Sequence, residues 1–589
     1  MSQSTNGSHN SSLPGAAFKL TATRRPVVRG RRYVASTGHH LASLAATRML
    51  ERGGNAIDAG VAAGVCLNVL LPDMTCFGGV APIMIYLAAE RRVVSIDGLG
   101  HWPRAASLEY FQRRHGGTLP AGIERAVTPA AADAWLTALE RFGTLPLSDV
   151  LAPALDLAAN GFPLDAIIAG NFASAAEKYA RYPSSAAVFL PGGRPPRTGE
   201  LFVQRDLART FERLIAAASG KEREAGIRAA RDLFYRGEIA REMAEFSRSA
   251  GGLMDEIDIA GQAVEVEEPP HVTWHGYEVY ASGFWCQGPA LLQALNLLAE
   301  DDLASHDPGS PEYVHLVAEA LKLAFADREA FYGDPKFVDV PMVGLLSREY
   351  AVERRALINA DRAIHGMAPH GDPWRFEGRV PAQQPVAAAG AAGPIPPDTT
   401  YLCVMDEWGN GFSATPSDPV EGGPIVPGLG FPMSPRGSQS WLDPDHASSL
   451  QPGKRPRLTP NPALALRDGD LFATFGTPGG DIQVQTMLQV FLNVTVHGLD
   501  PQAALEAPRF GTFSHPGSFY PHAFNPDLLR LEGRFSAETI AALEGKGHLV
   551  DVWPDYSPQA GSPCLIVREY DGLLAGGADP RRVAYAIGW

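Results

Sequence analysis

A run of residues without charge divides this chain and limits how it can fold. Residues 381–397 read PAQQPVAAAGAAGPIPP, in which Pro, Ala and Gly dominate and no apolar periodicity survives. This composition is typical of a linker. Helical patterns prevail before it and strand-like segments follow it. We therefore predict two differently built parts, residues 31–380 and 399–589, joined by a linker at 381–398, with residues 1–30 as a disordered tail.

Patterns before the linker predict a strand, two helices and a hairpin, followed by a mainly helical region. YVAST (33–37) reads as a strand, and HHLASLAATRMLERGG has apolar residues at helical spacing up to Gly53-Gly54. AIDAGVAAGVCLNVLLP is apolar nearly all round, which predicts a buried helix. APIMIYLAAERRVVSIDG predicts a hairpin, and GYEVYAS (276–282) is a strand among the helices of residues 130–380.

Patterns after the linker predict a second set of strands. YLCVMD, EWGN and GFSAT form a predicted hairpin whose first strand starts at Thr399-Thr400. PALALRDGDLFATFG predicts a strand pair, and IQVQTMLQVFLNVTVHG predicts a helix. Strands at both ends of the chain, with helices between and after them, indicate an α+β or a layered αββα architecture. Periodicity alone leaves these two open.

The net charge and the lengths of the apolar runs limit which partners the chain can bind. The net charge of −15 argues against a nucleic-acid partner. The basic cluster at residues 24–32 is interpreted as the solvated start of the first strand. The most apolar run, residues 61–72, is too short to cross a bilayer, and no apolar segment follows the polar N-terminus. We expect no membrane partner and a cytoplasmic protein.

Several familiar catalytic and cofactor devices are missing from the sequence. There is no GxSxG, HExxH, P-loop or GxGxxG motif in the required context. The five cysteines are widely spaced, which predicts buried, reduced thiols rather than disulfides or a zinc knuckle. Adjacent His39 and His40 do not face one site on a helix, so a metal role is not favoured. We expect neither a metal nor an organic cofactor.

Thr399 offers a different route to a nucleophile. On spacing alone, two adjacent threonines at a strand start are most simply strand residues, since β-branched side chains suit a sheet. If the chain were cut between Asp398 and Thr399, however, Thr399 would gain a free α-amine with a pKa near ~8. That amine could accept the proton of the threonine hydroxyl, so one residue would supply nucleophile and base.

Ordered blocks of sequence carry a family resemblance from about residue 33 to the C-terminus. The blocks are GGNAIDAGVAAGVCLNVLLP, HGYEVYAS, EALKLAFADREAFYGDP, DTTYLCVMDEWGNGFSATPS, FGTPGGD, EAPRF and GGADPRR. They resemble the γ-glutamyltransferase family of N-terminal-nucleophile hydrolases. The resemblance implies a four-layer αββα sandwich, formed jointly by a large and a small subunit after self-cleavage between Asp398 and Thr399. It leaves open whether two such heterodimers pair.

The resemblance also assigns roles to individual residues. It implies that Thr399 is the nucleophile, that Ser417 orients or activates it, and that Gly479 and Gly480 form the oxyanion hole through their N–H groups. Glycine suits that task because backbone can approach the oxyanion closely, and one such donor is worth roughly 3 kcal/mol in the transition state.

The expected pocket for a γ-glutamyl group departs from the family pattern. Leu99 aligns with the arginine that holds the α-carboxylate, Leu458-Thr459 with paired serines, and Pro419 with an asparagine. Arg436 and Gln439 align with the glutamine and aspartate of the amine site. We expect Arg436 to attract a carboxylate or carbonyl-rich acyl group. The substrate-binding candidates are Arg436, Gln439, Thr459 and Asn461.

Three functional hypotheses follow. The leading one is a self-processing amidohydrolase or acyltransferase acting on a small amide, similar to the cephalosporin-acylase-like and oxamate-amidohydrolase-like branch of the family. The second is a true γ-glutamyl hydrolase or transpeptidase acting on glutathione-like compounds. The third is a catalytically inactive member that serves as a binding protein.

Overall fold

The architecture is taken from a computed structural model, which describes residues 23–380 and 399–589. The predicted linker and Asp398 lie outside the described residues, as does most of the predicted tail. The strands are β1 Val28–Gly30, β2 Val34–Thr37, β3 Ile83–Leu87, β4 Arg92–Ile96, β5 Phe162–Pro163, β6 Leu201–Phe202, β7 Val266–Glu267, β8 His271–Trp274, β9 Tyr277–Ala281, β10 Leu402–Met405, β11 Gly411–Ala414, β12 Ala463–Arg467, β13 Asp470–Gly476, β14 Phe510–Thr512, β15 Leu528–Glu532, β16 Leu549–Trp553, β17 Cys564–Arg568, β18 Leu574–Ala578 and β19 Tyr585–Gly588.

Helices flank these strands and fill the stretch between β4 and β7. They are α1 His40–Glu51, α2 Ala56–Leu70, α3 Leu108–His115, α4 Ala131–Phe142, α5 Leu147–Asn160, α6 Ala166–Ser174, α7 Ala176–Ala180, α8 Pro183–Phe189, α9 Arg205–Ala218, α10 Arg223–Tyr235, α11 Glu238–Ser249, α12 Glu256–Ala260, α13 Pro289–Leu297, α14 Pro311–Phe331, α15 Met342–Leu345, α16 Arg348–Arg355, α17 Ile482–Thr495, α18 Pro501–Glu506 and α19 Ala537–Gly545. None of the helices in the described ranges is long and apolar enough to span a bilayer.

Two seven-stranded antiparallel sheets form the centre of the fold. Their strand orders are β1-β18-β17-β13-β12-β9-β8 and β19-β2-β10-β11-β3-β4-β7. A buried cluster that includes Met84, Met405, Leu464 and Ile566 joins the facing sides of the sheets. A second cluster packs α1, α2 and α4 on one outer face, and a third packs α13, α14 and α17 on the other. The predicted αββα sandwich is confirmed.

The helix predicted to be buried shows how the sequence sets this packing. Every residue of α2 is buried, in keeping with its nearly continuous apolar sequence. Asn55 and Asp58 form a reciprocal capping box that fixes where α2 begins. The helix lies against β10 and β11, so it supports the strand pair that follows Thr399.

Two predicted boundaries were wrong. Val28–Gly30, placed in the tail, forms edge strand β1 and pairs with Leu574–Gly576 of β18, a partner too distant in sequence for local pattern to reveal. Strand β10 begins at Leu402 rather than at the threonines. Thr399 has a left-handed backbone with a φ of +89°, so it cannot belong to a regular strand. The prediction of five buried, unpaired cysteines is confirmed.

Candidate active site

Thr399 is fully buried at the point where the second part of the chain enters the sandwich. Its backbone N–H donates to the carbonyl oxygen of Met74 at 3.2 Å, and the N–H of Thr400 donates to that of Pro416 at 3.1 Å. These two hydrogen bonds fix the chain just before β10. A positive φ is an outlier for a β-branched residue, and such strain costs about 1–3 kcal/mol. Among the described non-glycine residues with a positive φ, the predicted nucleophile is the only β-branched one.

The hydroxyl groups of Thr399 and Ser417 contact each other directly. The Oγ1 to Oγ distance is 2.7 Å, and both residues are fully buried. Ser417 is held by an antiparallel bridge to Val80, in which its N–H donates to the Val80 carbonyl oxygen at 2.9 Å. The structure therefore brings together the two side chains that the sequence analysis paired.

Arg436 also reaches this hydroxyl pair. Its Nη2 donates to Ser417 Oγ and its Nε donates to the carboxylate of Asp418. Ser434 Oγ donates to the other oxygen of that carboxylate at 2.5 Å. The guanidinium, which is 1% exposed, is thus a buried ion-pair partner rather than the free cation expected for an acyl group. Asp418 was not anticipated as its partner, and the attraction of an acyl group by Arg436 stays a prediction.

The Gly479–Gly480 pair lies at the turn between β13 and α17. Both have left-handed φ values, +130° and +59°. A Cβ on Gly479 would lie 2.2 Å from Cγ2 of Ile482, so this position excludes a side chain for steric as well as conformational reasons. Within residues 23–380 and 399–589, the N–H groups of both glycines have no hydrogen-bond acceptor. They remain available to bind an oxyanion.

A polar network that the sequence analysis missed supports this turn. Gln287 Nε2 donates at 2.9 Å to the carbonyl oxygens of both Thr459 and Gly480. Its Oε1 accepts from Arg328 Nη1 at 3.0 Å, and Arg328 also pairs with Asp481 at 2.5 Å. The charged residues inside the apolar block EALKLAFADREAFYGDP were the available signal, since buried charges require partners.

A small cavity of about 30 Å³ lies on the other side of Thr399. Asp73, Asn171, Pro478 and Arg582 are among the residues that line it. Asn171 Nδ2 donates to Asp73 Oδ2 at 2.7 Å, and burial raises the pKa of Asp73 to about 6. The sequence analysis did not identify Asp73, because a lone Asp in LLPDMT carries no distinctive pattern.

The remaining substrate candidates are largely occupied by protein contacts. Gln439 Nε2 donates to Thr459 Oγ1 at 2.8 Å, while Gln439 Oε1 has no hydrogen-bond partner in the described part of the chain. Asn461 Oδ1 accepts from the N–H of Ser282 at 3.0 Å, and the Asn461 N–H donates to Gln483 Oε1 at 3.1 Å. Asn461 therefore ties β9 to the segment before β12, and its part in substrate binding stays a prediction.

Two of the positions that depart from the γ-glutamyl pattern lie together in an apolar cluster. Leu99 and Leu458 are both fully buried and pack with Val80, Trp285 and Cys286. Arg104, the nearest arginine in sequence, instead pairs at the surface with Asp255 at 2.6 Å and Asp258 at 3.0 Å. Charged side chains lie at the edge of this cluster, where Trp285 Nε1 donates to Glu267 Oε1 at 2.6 Å and Arg455 lies over the Trp285 ring.

One cluster elsewhere has metal-ligand chemistry. Ligand atoms of His315, Glu319 and His548 lie within 4.8 Å of one another. The two imidazoles contact each other at 2.8 Å, and Lys322 Nζ lies 2.7 Å from Glu319 Oε1, where its charge opposes a cation. These residues do not line the small cavity at Thr399. The cluster links the two parts of the chain across their interface.

Comparisons with known proteins agree with this geometry. The family model "Gamma-glutamyltranspeptidase" matches residues 42–589. The chain is 33% identical to the glutathione hydrolase-like YwrD proenzyme of Bacillus subtilis, over 95% of this chain and 99% of that protein. It is 34% identical to the acylase ACY 1 proenzyme of Pseudomonas sp. strain SE83, over 95% and 94%.

A solved structure extends the likeness to three dimensions. The cephalosporin acylase from Bacillus halodurans superposes with a TM-score of 0.84 at 29% identity, over 97% of this chain and 98% of that chain. The chain belongs to the gamma-glutamyltranspeptidase (γ-glutamyltransferase) family.

Proposed function

We propose that this enzyme cleaves itself between Asp398 and Thr399 and then uses Thr399 to hydrolyse or transfer the acyl group of a small amide. The 2.7 Å contact between the buried hydroxyls of Thr399 and Ser417 carries this proposal. Relatives named as proenzymes support the processing step. The strained φ of Thr399 supports it as well, because cutting the preceding bond removes the constraint that holds the residue in this conformation.

The two reactions use the same groups. In processing, Thr399 Oγ1 attacks the Asp398 carbonyl carbon, the C–N bond breaks, and the nitrogen takes the hydroxyl proton to become the new α-amine. Water then hydrolyses the ester and leaves a carboxylic acid on Asp398. In catalysis, that α-amine accepts the Oγ1 proton, Oγ1 forms an acyl-enzyme with the substrate, and water or an acceptor amine releases the acyl group.

Arg436 acts on the nucleophile through Ser417 in this scheme. Its guanidinium donates to Ser417 Oγ, and that oxygen lies 2.7 Å from Thr399 Oγ1. A cation two hydrogen bonds away stabilises the negative charge that develops on Oγ1 as its proton leaves. Gly479 and Gly480 then stabilise the oxyanion of the tetrahedral intermediate through their N–H groups.

The apolar cluster around Leu99 favours a substrate other than a γ-glutamyl compound. An α-carboxylate placed against Leu99 and Leu458 would lose water to two aliphatic side chains that offer it no hydrogen bond, which is unfavourable. Because a site without those hydrogen bonds discriminates poorly in favour of a γ-glutamyl group, we place the enzyme with the acylase-like members. The names of the acylase relatives support this choice.

We also propose that the processed subunits stay together as a heterodimer. Strands β10 and β11 of the small subunit lie between β2 and β3 of the large subunit in one sheet. Separation would therefore expose both strand edges and the buried core. The five unpaired cysteine thiols are consistent with a reducing compartment such as the cytoplasm. Light scattering after size-exclusion chromatography would show whether two heterodimers associate.

Intact-mass analysis of purified protein tests the processing step. We expect two polypeptides, the smaller one starting at Thr399, and one uncut 62.9 kDa chain for the Thr399→Ala variant. The Thr399→Ser variant is the matched control, since it keeps a hydroxyl and should still process. An uncut wild-type chain without activity on any amide would favour the binding-protein hypothesis and refute the proposal.

A comparison of two p-nitroanilide substrates tests the proposed preference for an acyl group other than γ-glutamyl. We expect γ-glutamyl-p-nitroanilide to be turned over at least about 100-fold less efficiently than the preferred acyl-p-nitroanilide, because Leu99 and Pro419 replace the family's partners for its α-carboxylate and α-amino group. Turnover of the γ-glutamyl compound at the higher rate would favour the glutathione-hydrolase alternative.

A further inference from the structure

A pocket of about 240 Å³ opens beside Arg436, at the boundary between the two subunits. We call it the arginine pocket. Its lining includes Arg125, Lys178, Arg181, Tyr182, Arg436 and Phe519. The whole lining holds four basic side chains and two acidic ones, Asp418 and Glu421, although the protein as a whole has a net charge of −15. The pocket is therefore an exception to the charge of the rest of the molecule.

Ion pairing leaves the pocket with excess positive charge. Arg436 is paired with Asp418, and Lys178 is paired with Glu421 at 2.5 Å. Arg125 and Arg181 form no ion pair with any residue of the described ranges. Arg181 is exposed and screened by solvent, whereas Arg125 is partly buried. Arg125 is thus the cation in this pocket whose charge is least compensated.

Arg125 carries the cost of burial without a matching anion. Its Nε is buried and has no hydrogen-bond partner within the described residues. Burial lowers the pKa of Arg125, and the nearby Tyr182 and Asp418 oppose that shift only in part. A bound carboxylate would supply the missing acceptor, and the guanidinium fork matches a carboxylate in two parallel hydrogen bonds.

The position of Arg125 relative to Arg436 is fixed by backbone packing. Arg125 ends the 3₁₀ turn Ile123–Arg125, which lies against the 3₁₀ turn Pro435–Gln439 that carries Arg436. A Cβ on Gly437 would lie 2.3 Å from the Arg125 carbonyl oxygen, so only glycine allows this approach. The Val127 N–H donates to the Ser434 carbonyl oxygen at 2.9 Å and locks the two segments together.

This rigid pair connects the pocket to the nucleophile. Arg436 lines the pocket and also donates to Ser417, whose hydroxyl lies 2.7 Å from that of Thr399. Neither Thr399 nor Ser417 lines the pocket, so Arg436 is the side chain that the pocket and the hydroxyl pair share. We propose that the arginine pocket is the specificity site of this enzyme and that Arg125 binds a carboxylate carried by the amide substrate. This inference rests on the proposed function.

Two pairs of synthetic amides test it and show which end of the substrate is bound. Succinyl- and butyryl-p-nitroanilide differ by a carboxylate on the acyl side, and 4-butyramidobenzoate and butyranilide differ by one on the amine side. We expect wild-type enzyme to favour the anionic member of one pair. The Arg125→Gln variant should lose about 10- to 100-fold in kcat/KM for that member and less than about threefold for its neutral partner.

Control variants separate this role from a general loss of folding. Arg125→Lys, which keeps the charge but not the fork, should retain part of the preference. Arg104→Gln, which removes a surface ion pair that does not line the pocket, should leave both substrate pairs unaffected. Complete processing of each variant, checked by intact mass, shows that the fold and Thr399 are intact.

The outcomes distinguish this inference from the function on which it rests. If both neutral amides are turned over and Arg125→Gln changes the anionic and neutral members equally, the inference is overturned and the proposed function stands. If no amide is turned over, the proposed function fails. Calorimetric titration with succinate then decides the binding role alone, since weaker binding to Arg125→Gln than to wild type supports it and equal binding overturns it.

Discussion

The nucleophile side and the substrate side of this site differ in how their side chains are used. On the nucleophile side, Thr399 and Ser417 form a hydroxyl pair, and the Gly479–Gly480 turn carries two N–H groups without an acceptor among the described residues. On the substrate side, Gln439 and Thr459 bind each other. The first arrangement is defined by the chemistry that it must perform. The second is defined mainly by packing, so a shared motif there says little about the ligand.

The same contrast applies to the two arginines. Arg436 looked like a substrate-binding cation in the sequence but is neutralised by Asp418 and turned toward the nucleophile. Arg125 was not singled out, yet it lines the pocket with no ion-pair partner among the described residues. The local sequence identified a change of residue type, whereas only the three-dimensional partners show which charge is available.

The largest effect is expected when the family's arginine is restored on the substrate side. Leu99→Arg would bury a cation among the apolar side chains of Val80, Trp285 and Leu458. We expect the free energy of unfolding to fall by about 3–5 kcal/mol, measured by urea denaturation, with no gain in γ-glutamyl hydrolysis. Leu99→Met, which keeps the volume and the apolar character, is the matched control and should cost less than about 1.5 kcal/mol.

A gain of γ-glutamyl activity without loss of stability in Leu99→Arg would contradict this account. It would show that the apolar cluster opens readily to a charged ligand. The substrate side would then have kept the family's specificity despite its changed residues.

A change on the nucleophile side should act on the rate rather than on binding. Gly479→Ala would force a left-handed φ on alanine and place its Cβ 2.2 Å from Ile482 Cγ2, which displaces the turn and its N–H groups. We expect kcat to fall by about 10²- to 10³-fold, equivalent to about 3–4 kcal/mol, with a smaller change in KM. Steady-state kinetics on processed protein, with circular dichroism to verify folding, would measure this.

A KM increase with unchanged kcat in Gly479→Ala would place the glycine turn on the substrate side instead. A substitution of Gly423, which has open space around a Cβ and an extended backbone, serves as the control and should leave kcat unchanged.

Elements with a continuous pattern were predictable, and those set by long-range partners were not. Helix α2, the hairpin β10–β11 and the strand pair β12–β13 follow from local periodicity and turn residues. Strand β1 depends on β18 near the opposite end of the chain. Likewise, the Thr399–Ser417 pair was anticipated from a motif, while the role of Arg436 depends on Asp418, whose φ of +85° no residue pattern indicated.

The stability of the nucleophile side in acid depends on His39. His39 precedes α1 and follows Gly38, which lines the cavity at Thr399. Its Nδ1 accepts the N–H of Leu41 at 3.2 Å, so the ring must stay unprotonated to cap the helix. Burial, with a smaller contribution from His40, lowers the pKa of His39 to about 3.

Because the pKa of His39 is lowered in the folded state, acid decreases the free energy of unfolding. Between about pH 6.5 and pH 3 the unfolded chain holds a proton on this histidine that the folded chain does not, so acid favours unfolding. We expect the free energy of unfolding to fall by up to about 1.4 kcal/mol per pH unit from His39 alone. Urea denaturation across this range would show a flatter profile for His39→Asn, which keeps a capping side chain without titrating. Identical profiles for both proteins would contradict this assignment.

The smallest expected effect lies at the centre of the substrate side. Thr459→Val keeps the shape of the side chain but removes the acceptor for Gln439 Nε2, which is fully buried. We expect a loss of about 1–2 kcal/mol in the free energy of unfolding, since the amide donor is left unpaired, and a change in kcat/KM of less than about fivefold. Thr459→Ser, which keeps the acceptor oxygen, should restore the hydrogen bond. If Thr459→Val instead lowers kcat/KM by more than about 30-fold at unchanged stability, Thr459 binds the substrate directly. The residues on the substrate side would then contact the ligand as well as each other.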